Sequence, residues 1–124
     1  MYDHIGLKVK DMDASVRFYT AALAPLGHVL CSSGDGYAGF GPKGKPALWL
    51  HAHEGKPGGT TATGAHVALR AADQATVDRF YKEAMKAGGK DNGKPGLRPD
   101  YGAKYYGAFV FDLDGNNVEA VCHK

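Results

Sequence analysis

Three side chains with the chemistry of divalent-metal ligands fall at positions that strand alternation directs to one surface. His4 and His66 each begin a segment in which apolar residues alternate with other residues, the period-2 pattern of a half-buried strand. If the apolar positions pack on a helix, both imidazoles point away from that helix. Glu119 has the same orientation in the alternating segment 118–122. Two imidazoles and one carboxylate on one surface predict a site that holds a divalent metal and leaves coordination positions open.

Glu119 is the member of this set that most needs a chemical explanation. It lies between Val118, Ala120 and Val121, where an unpaired buried charge would cost several kcal/mol by typical desolvation values. A bound cation would compensate that charge. A single histidine in a strand is usually hydrogen-bonded without any metal, so the prediction depends on the three residues together.

An internal repeat places the two histidines at equivalent positions. Shifted by 62 residues, the segment 4–27 aligns on 66–89 without a gap, and eight of the 24 positions are identical. The identical pairs are His4/His66, Leu7/Leu69, Asp11/Asp73, Arg17/Arg79, Phe18/Phe80, Tyr19/Tyr81, Ala22/Ala84 and Gly27/Gly89. A match of this size indicates a duplicated structural unit.

Each copy is predicted to be a strand followed by an amphipathic helix and further strands. Asp11 and Asp73 are expected to cap the two helices, and Gly27 and the Gly88-Gly89 pair to end them. Further strands are expected at 29–31, 37–40, 47–51, 105–111 and 117–122, the last two joined by the hairpin turn Asp114-Gly115-Asn116. The Gly/Pro-rich segment 90–103 is expected to be a loop with at most one short strand.

These elements predict an α+β fold of two βαβββ modules in one domain of 124 residues. The first module is assigned to residues 1–53, a linker to 54–63 and the second module to 64–124. Each sheet would pack one face on its helix and leave the other free, and two such half-barrels, within or between chains, would enclose a cleft.

Composition excludes several functional classes. Fifteen Lys and Arg against 13 Asp and Glu give a net charge of +2, too balanced for a nucleic-acid surface. No apolar run reaches the length of a membrane span, and no signal segment opens the chain, so we expect a soluble, cytoplasmic protein. Cys31 and Cys122 are expected to stay reduced thiols there.

The repeat, the early His of each module and the closing segment Asp-Leu-Asp-Gly-Asn-Asn-Val-Glu-Ala together resemble the vicinal oxygen chelate superfamily. That superfamily includes glyoxalase I, extradiol dioxygenases, fosfomycin-resistance transferases and bleomycin-binding proteins. Carried over to this chain, the resemblance implies His4, His66 and Glu119 as ligands of one divalent ion, with Zn, Ni, Mn and Fe all compatible. It implies a small-molecule substrate with vicinal oxygens, and a homodimer in which His4 serves either its own chain's site or the partner's.

The sequence departs from glyoxalase I where that enzyme has a further ligand that doubles as base. Leu48 or Trp49 takes this place, depending on a one-residue gap, and neither can ligate; His51 would do so only with a register shift. Fosfomycin-resistance transferases carry a Tyr where Phe109 stands. The alternative reading is a metal-free binding protein of the bleomycin-sequestering type, with an aromatic groove.

Further residues complete the predicted site. Glu119, Tyr105 and Tyr106 are the candidate catalytic groups. The expected substrate pocket contains Trp49, His51, Arg98, Tyr101 and Phe109.

Overall fold

The computed structural model describes residues 1–53 and 61–124 and contains two four-stranded sheets, each with one helix. The first module has β1 (Ile5–Val9), α1 (Met12–Leu23), a 3-10 turn (Ala24–Leu26), β2 (Val29–Gly34), β3 (Tyr37–Gly41) and β4 (Leu48–Ala52). The second has β5 (His66–Arg70), α2 (Gln74–Lys86), β6 (Lys90–Leu97), β7 (Tyr106–Phe111) and β8 (Asn117–Cys122). The predicted α+β fold with two βαβββ modules is therefore confirmed.

Both sheets have the same mixed topology. Their strand orders are β1-β4-β3-β2 and β5-β8-β7-β6, with the first strand of each module parallel to the last and the other pairs antiparallel. The first strand of each module is thus an edge strand, and the two sheets are not closed into a barrel. Of the predicted linker 54–63, residues 54–60 lie outside the described part of the chain.

Capping residues fix where the helices begin and end, as the sequence predicts. The Asp11 carboxylate accepts the backbone N–H of Ala14 at 3.1 Å, and that of Asp73 accepts the N–H of Thr76 at 2.8 Å. Gly27 ends the first helical segment with φ +84°, a left-handed conformation that favours glycine. Each helix therefore begins directly after its capping aspartate, a few residues beyond the end of the preceding strand.

One core joins the helix-facing sides of both sheets. Leu7 and Val9 of β1 are buried, whereas the neighbouring Lys8 is exposed, as the alternation predicts. Phe18 and its repeat partner Phe80 are both fully buried in the same apolar cluster. We call the side of each sheet turned away from its helix the open face.

The segment 90–103 differs from the prediction of a loop with at most one short strand. Residues Lys90–Leu97 form an eight-residue strand, β6, at the edge of the second sheet. Its pairing with β7 slips between Asp91 and Gly93 and again between Gly93 and Gly96. An edge strand tolerates such irregularities and a proline, here Pro95. The same glycines and proline are typical of loops, and for this reason composition alone predicted a loop.

A buried carboxylate organises the turn that joins β7 to β8. Asp112 Oδ2 accepts the Tyr19 hydroxyl at 2.6 Å and the Asn116 side-chain amide at 3.0 Å. Asp112 Oδ1 accepts the backbone N–H groups of Asp114 and Asn116 at 2.9 and 2.8 Å. The Asn116 amide also donates to the Ala62 carbonyl at 2.8 Å. The turn is thereby bonded to α1 and to the chain that leads into β5.

The ionisation of Tyr19 is coupled to this network. Burial, followed by the adjacent Asp112 carboxylate, raises the pKa of the Tyr19 hydroxyl well above its usual value. Its contribution to stability is therefore fully present below the unfolded-state pKa of about 10 and is lost as the pH rises towards the folded-state pKa.

Two smaller expectations concern the cysteines and the membrane. Cys31 and Cys122 are free thiols, as predicted. Within the described residues, neither helix combines the length and the apolarity needed to span a membrane.

We expect Tyr19→Phe to lower the free energy of unfolding by about 1–3 kcal/mol, because Asp112 loses one donor but keeps three. Asp112→Ala should cost at least about 3 kcal/mol, since it leaves all four donors without their acceptor. Urea unfolding at neutral pH measures both. Tyr106→Phe is the control, because it removes a solvent-exposed hydrogen bond of equal length, the one that the Tyr106 hydroxyl donates to Asp78 Oδ1 at 2.6 Å. Equal losses for Tyr19→Phe and Tyr106→Phe would contradict the role assigned to the buried network.

The same variants carry a pH prediction. Above about pH 10, wild-type stability should decline more steeply than that of Tyr19→Phe, so that the two curves converge. Parallel curves up to pH 11 would show that the Tyr19 hydroxyl is not in the bonded, buried state described.

Candidate functional site

The register of the second sheet places His66 and Glu119 together on its open face. In β8, Val118, Ala120 and Cys122 pack in the core, so Glu119 and Asn117 point the other way. Parallel pairing sets His66 of β5 opposite Asn117. The His66 Nε2 atom lies 2.9 Å from Glu119 Oε1. The sequence prediction of these two residues on one surface agrees with this placement.

Glu119 is a buried carboxylate whose two partners come from β5 and from the loop before β7. The residue is 1% exposed, whereas the His66 side chain is 53% exposed. Its Oε1 atom faces His66, and its Oε2 atom accepts the Tyr105 hydroxyl. A Cβ atom at position 107 would lie 3.3 Å from Oε2, so Gly107 leaves room for the carboxylate. The charge that the sequence left unexplained thus has two protein partners.

Tyr105 is held protonated by its surroundings. Burial, the hydrogen bond to Glu119 and the charge of that carboxylate raise the pKa of the Tyr105 hydroxyl to about 12. At neutral pH it is therefore a phenol that donates to Glu119. Its ring is packed edge-on by Tyr101 at 5.3 Å and by His123 at 5.1 Å between ring centroids. These contacts fix the direction of the hydroxyl.

An aromatic and a cation border the His66–Glu119 pair. Phe109 is paired with Glu119 across β7 and β8, so its ring lies on the same open face, 6.3 Å from the His66 ring. The Arg98 guanidinium lies over the Phe109 ring with its Cζ atom 5.3 Å from the centroid. Arg98 and Phe109 line a shallow pocket together with Tyr101 and Asn117. Three of the predicted pocket residues, Arg98, Tyr101 and Phe109, are therefore adjacent.

Tyr106 lies on the opposite side of the sheet from this group. It alternates with Tyr105 and packs against the apolar core, and its hydroxyl donates to Asp78 Oδ1 of α2 at 2.6 Å. That bond, burial and the Asp78 charge raise the pKa of Tyr106 to about 12. The geometry gives Tyr106 a role in joining helix and sheet, and it does not place Tyr106 beside Glu119.

The remaining predicted residues lie on the open face of the first sheet. His4, Trp49 and His51 line one shallow pocket with Asp3 and Pro46. The His4 Nδ1 atom lies 2.5 Å from the Asp3 carboxylate, and both side chains are largely exposed. A Cβ at Gly39 would lie 2.7 Å from the Trp49 ring, so the indole packs on bare backbone.

The register also settles which residue of the first module corresponds to Glu119. Ala68 pairs with Glu119, and the repeat equivalent of Ala68 is Gly6, which pairs with Trp49. Trp49 therefore takes the position of the carboxylate, while Leu48 is buried on the helix side. His51 lies two residues further on the same face as Trp49. The first module supplies an indole where the second supplies a carboxylate.

His4 is not brought to the His66–Glu119 pair within one chain. Among residues 1–53 and 61–124, no group of three or more His, Cys, Asp or Glu residues is arranged to hold a metal ion. The two open faces carry His4 on one sheet and His66 with Glu119 on the other. A three-ligand site of these residues would need a second chain.

Sequence reasoning missed two neighbours of Glu119. Asn117 shares its face, and its side-chain oxygen is buried without a hydrogen-bond partner among the described residues. Gly107 opens the space for the carboxylate. Period-2 alternation along β7 and β8 would have placed both on the open face, but nothing in the sequence shows that the space would be needed.

Comparison with known proteins agrees with this architecture. The sequence model described as "Glyoxalase/Bleomycin resistance protein/Dioxygenase superfamily" matches residues 2–120. A search of the curated proteins finds no match.

Solved structures with the same fold cover nearly the whole chain. A glyoxalase/bleomycin resistance protein from Albidiferax ferrireducens T118 is 23% identical with a TM-score of 0.82, covering 98% of this chain and 97% of its own. A glyoxalase/bleomycin resistance protein/dioxygenase family enzyme from Burkholderia phytofirmans PsJN is 16% identical with a TM-score of 0.74 and 98% coverage of both chains. The V278E mutant of glyoxalase I from Zea mays is 27% identical with a TM-score of 0.70, covering 97% of this chain and 45% of its own.

The Glu119–Tyr105 bond makes a prediction about a single tyrosine. In Glu119→Gln the pKa of Tyr105 should fall from about 12 towards 10, because the carboxylate charge disappears and only burial remains as a large cause. Tyrosine 13Cζ chemical shifts followed from pH 8 to 12.5 report it. Tyr106 is an internal control, since Asp78 holds its pKa up independently. An unchanged Tyr105 titration would contradict the hydrogen bond.

Proposed function

The chain belongs to the glyoxalase/bleomycin resistance protein/dioxygenase superfamily, and we propose that it is a divalent-metal-dependent enzyme acting on a small substrate with vicinal oxygens. The observation that carries the proposal is the buried Glu119 carboxylate in contact with the His66 imidazole on an open sheet face. Glu119, His66 and His4 are the proposed metal ligands. The alternative for Glu119, a purely structural pair, leaves unexplained why its partner His66 remains half-exposed.

The residues present fit a divalent ion. Ligand atoms at about 2.1 Å from a metal and at right angles to each other are about 3.0 Å apart. The 2.9 Å between His66 Nε2 and Glu119 Oε1 matches that spacing. One carboxylate and imidazoles suit Zn, Ni, Mn or Fe(II), and three protein ligands leave open positions for a chelating substrate. When bound, such an ion acts as a Lewis acid that stabilises negative charge developing on a substrate oxygen.

The chain's own groups orient the ligands and select what approaches them. Tyr105 donates to Glu119 Oε2 and so leaves the Oε1 atom directed at His66. Phe109 provides an apolar wall beside His66. Because the Tyr105 hydroxyl stays protonated at neutral pH, it is the candidate proton donor next to the site, whereas Tyr106 has no such position.

The separation of His4 from the pair supports a homodimer. Both β1 and β5 are edge strands with one side unpaired in the sheet, so each is able to bond a further strand. We propose that two chains pair so that His4 of one chain completes the His66–Glu119 pair of the other. Each dimer would then hold two equivalent sites.

Metal content measured after reconstitution and dialysis tests the ligand set. Wild type should retain one ion per chain, and His4→Ala, His66→Ala and Glu119→Ala should each lower affinity by at least about tenfold, since each removes one ligand bond. His53→Ala, a substitution outside the proposed set, is the control. Retention of metal by Glu119→Ala equal to that of wild type would refute the site.

Subunit mixing separates a shared site from a site within one chain. Unfolding and refolding His4→Ala together with Glu119→Ala should restore metal to about a quarter of all sites if the ligands come from two chains, because half the dimers are mixed and each has one intact site. No restoration is expected if each chain uses its own His4. A monomer by light scattering at micromolar concentration would overturn the dimer.

Chemistry that needs a second carboxylate is not expected. Isomerisation of the methylglyoxal–glutathione adduct requires a base beside the metal, and Trp49 takes the place where the second module has Glu119. We predict negligible isomerase activity with Ni or Zn, and any activity on vicinal diols, epoxides or ketoaldehydes should survive Trp49→Phe but not Glu119→Ala. Strong isomerase turnover would redirect attention to His51.

A second candidate function, metal-free sequestration of an aromatic small molecule, has its own support. The Trp49 indole lies on the open face of the first sheet with the Tyr37 ring 6.2 Å away. Trp49 is the only tryptophan, so its fluorescence reports on that face. Tight quenching by an aromatic ligand in chelator-treated protein, with no response to metals, would favour this function over the first.

A further inference from the structure

Arg98 is a cation held in a fixed position beside the proposed site. Its Nη2 atom donates to the Lys94 carbonyl at 2.7 Å, which folds the side chain back over β6. The guanidinium lies on the Phe109 ring, 5.3 Å from Cζ to the centroid. An exposed arginine normally loses substantial rotamer freedom on binding, and these two contacts have already restricted it.

Two glycines create the space that this arginine occupies. A Cβ at Gly96 would lie 3.2 Å from Arg98 Nη1, and a Cβ at Gly93 would lie 3.2 Å from Nη2 and 2.8 Å from the Phe109 ring. Both glycines coincide with the register slips of β6. The irregular edge strand thus forms a notch for the guanidinium.

No carboxylate among the described residues neutralises Arg98. No ion pair in that part of the chain includes Arg98, and the Asp91 carboxylate is engaged by Lys94 Nζ at 3.3 Å and by the Gly93 N–H at 2.9 Å. Within residues 1–53 and 61–124, only two backbone carbonyls accept from the guanidinium, those of Lys94 at 2.7 Å and Leu97 at 3.5 Å. Three of its five N–H groups therefore have no acceptor among the described residues, and a planar oxyanion would supply one.

We propose that Arg98, seated on Phe109, is an anion subsite that binds a carboxylate of the substrate. The Phe109 ring centroid lies 5.3 Å from the Arg98 Cζ atom and 6.3 Å from the centroid of the His66 ring. One aromatic ring therefore separates the subsite from the His66–Glu119 pair. The substrate class is therefore a small, flat or aromatic acid whose carboxylate is a ring's width from its two vicinal oxygens. Binding of the vicinal oxygens rests on the proposed function. Binding of the carboxylate rests on Arg98 alone.

A matched ligand pair tests the subsite. Calorimetry would compare 3,4-dihydroxybenzoate with 3,4-dihydroxybenzamide, which has the same vicinal oxygens without the charge, on metal-reconstituted protein. The acid should bind about tenfold more tightly to wild type, the gain expected of one bidentate charge-assisted contact. Arg98→Met should abolish that advantage, so that acid and amide bind with equal affinity, and Gly96→Ala, which crowds the guanidinium, should reduce it. Arg70→Met, another arginine on the same open face, should leave it intact.

A metal-free arm makes failure of this inference distinguishable from failure of the metal site. In chelator-treated protein, benzoate but not benzamide should shift the Arg98 Nε–Hε signal, and Glu119→Ala should not prevent the shift. If neither dihydroxy ligand binds in a Glu119-dependent manner while benzoate still shifts Arg98, the metal function fails and the subsite stands. Equal affinity of acid and amide, an advantage that survives Arg98→Met, or no benzoate shift overturns the subsite.

Discussion

The hydrogen bonds to the buried Asp112 carboxylate are the interactions on which the relative positions of α1, the β7–β8 turn and β5 depend. The carboxylate accepts from the Tyr19 hydroxyl of α1, from two backbone N–H groups of its own turn and from the Asn116 amide. Asn116 in turn bonds the Ala62 carbonyl and the Ala65 N–H. A charge at this depth is tolerated only because every oxygen is satisfied. The turn, the first helix and the entry to β5 are thereby fixed relative to each other.

This constraint determines where Glu119 lies. The turn sets the register of β8 against β7, and that register aligns Glu119 with Phe109 and, through β5, brings it to His66. Slipping β8 by one residue would move Glu119 to the helix side of the sheet. The Asp112 network at one end of the β7–β8 hairpin is therefore a precondition for the chemistry proposed for Glu119 in the middle of β8. The two groups of residues have no member in common.

Period-2 alternation and the repeat were enough to predict the two modules, the capping residues and the common face of His66 and Glu119. They were not enough for β6, because bulges and a proline at a sheet edge mimic loop composition. They also misplaced Tyr106, since a boundary of one residue decides which of two adjacent tyrosines faces Glu119. The partners of the carboxylate depend on long-range register, as with Tyr105 and Gly107, and no local pattern carries that information.

The bond between Tyr19 and Asp112 spans 93 residues of sequence. A chain made of two similar halves would be expected to fold half by half, each with its own nucleus. Here the helix of the first half finds the partner for its buried hydroxyl only when the last hairpin of the second half has formed. Contacts of such high sequence separation slow folding. The duplication has therefore produced one cooperative unit, because the carboxylate that accepts the buried Tyr19 hydroxyl of the first half belongs to the second half.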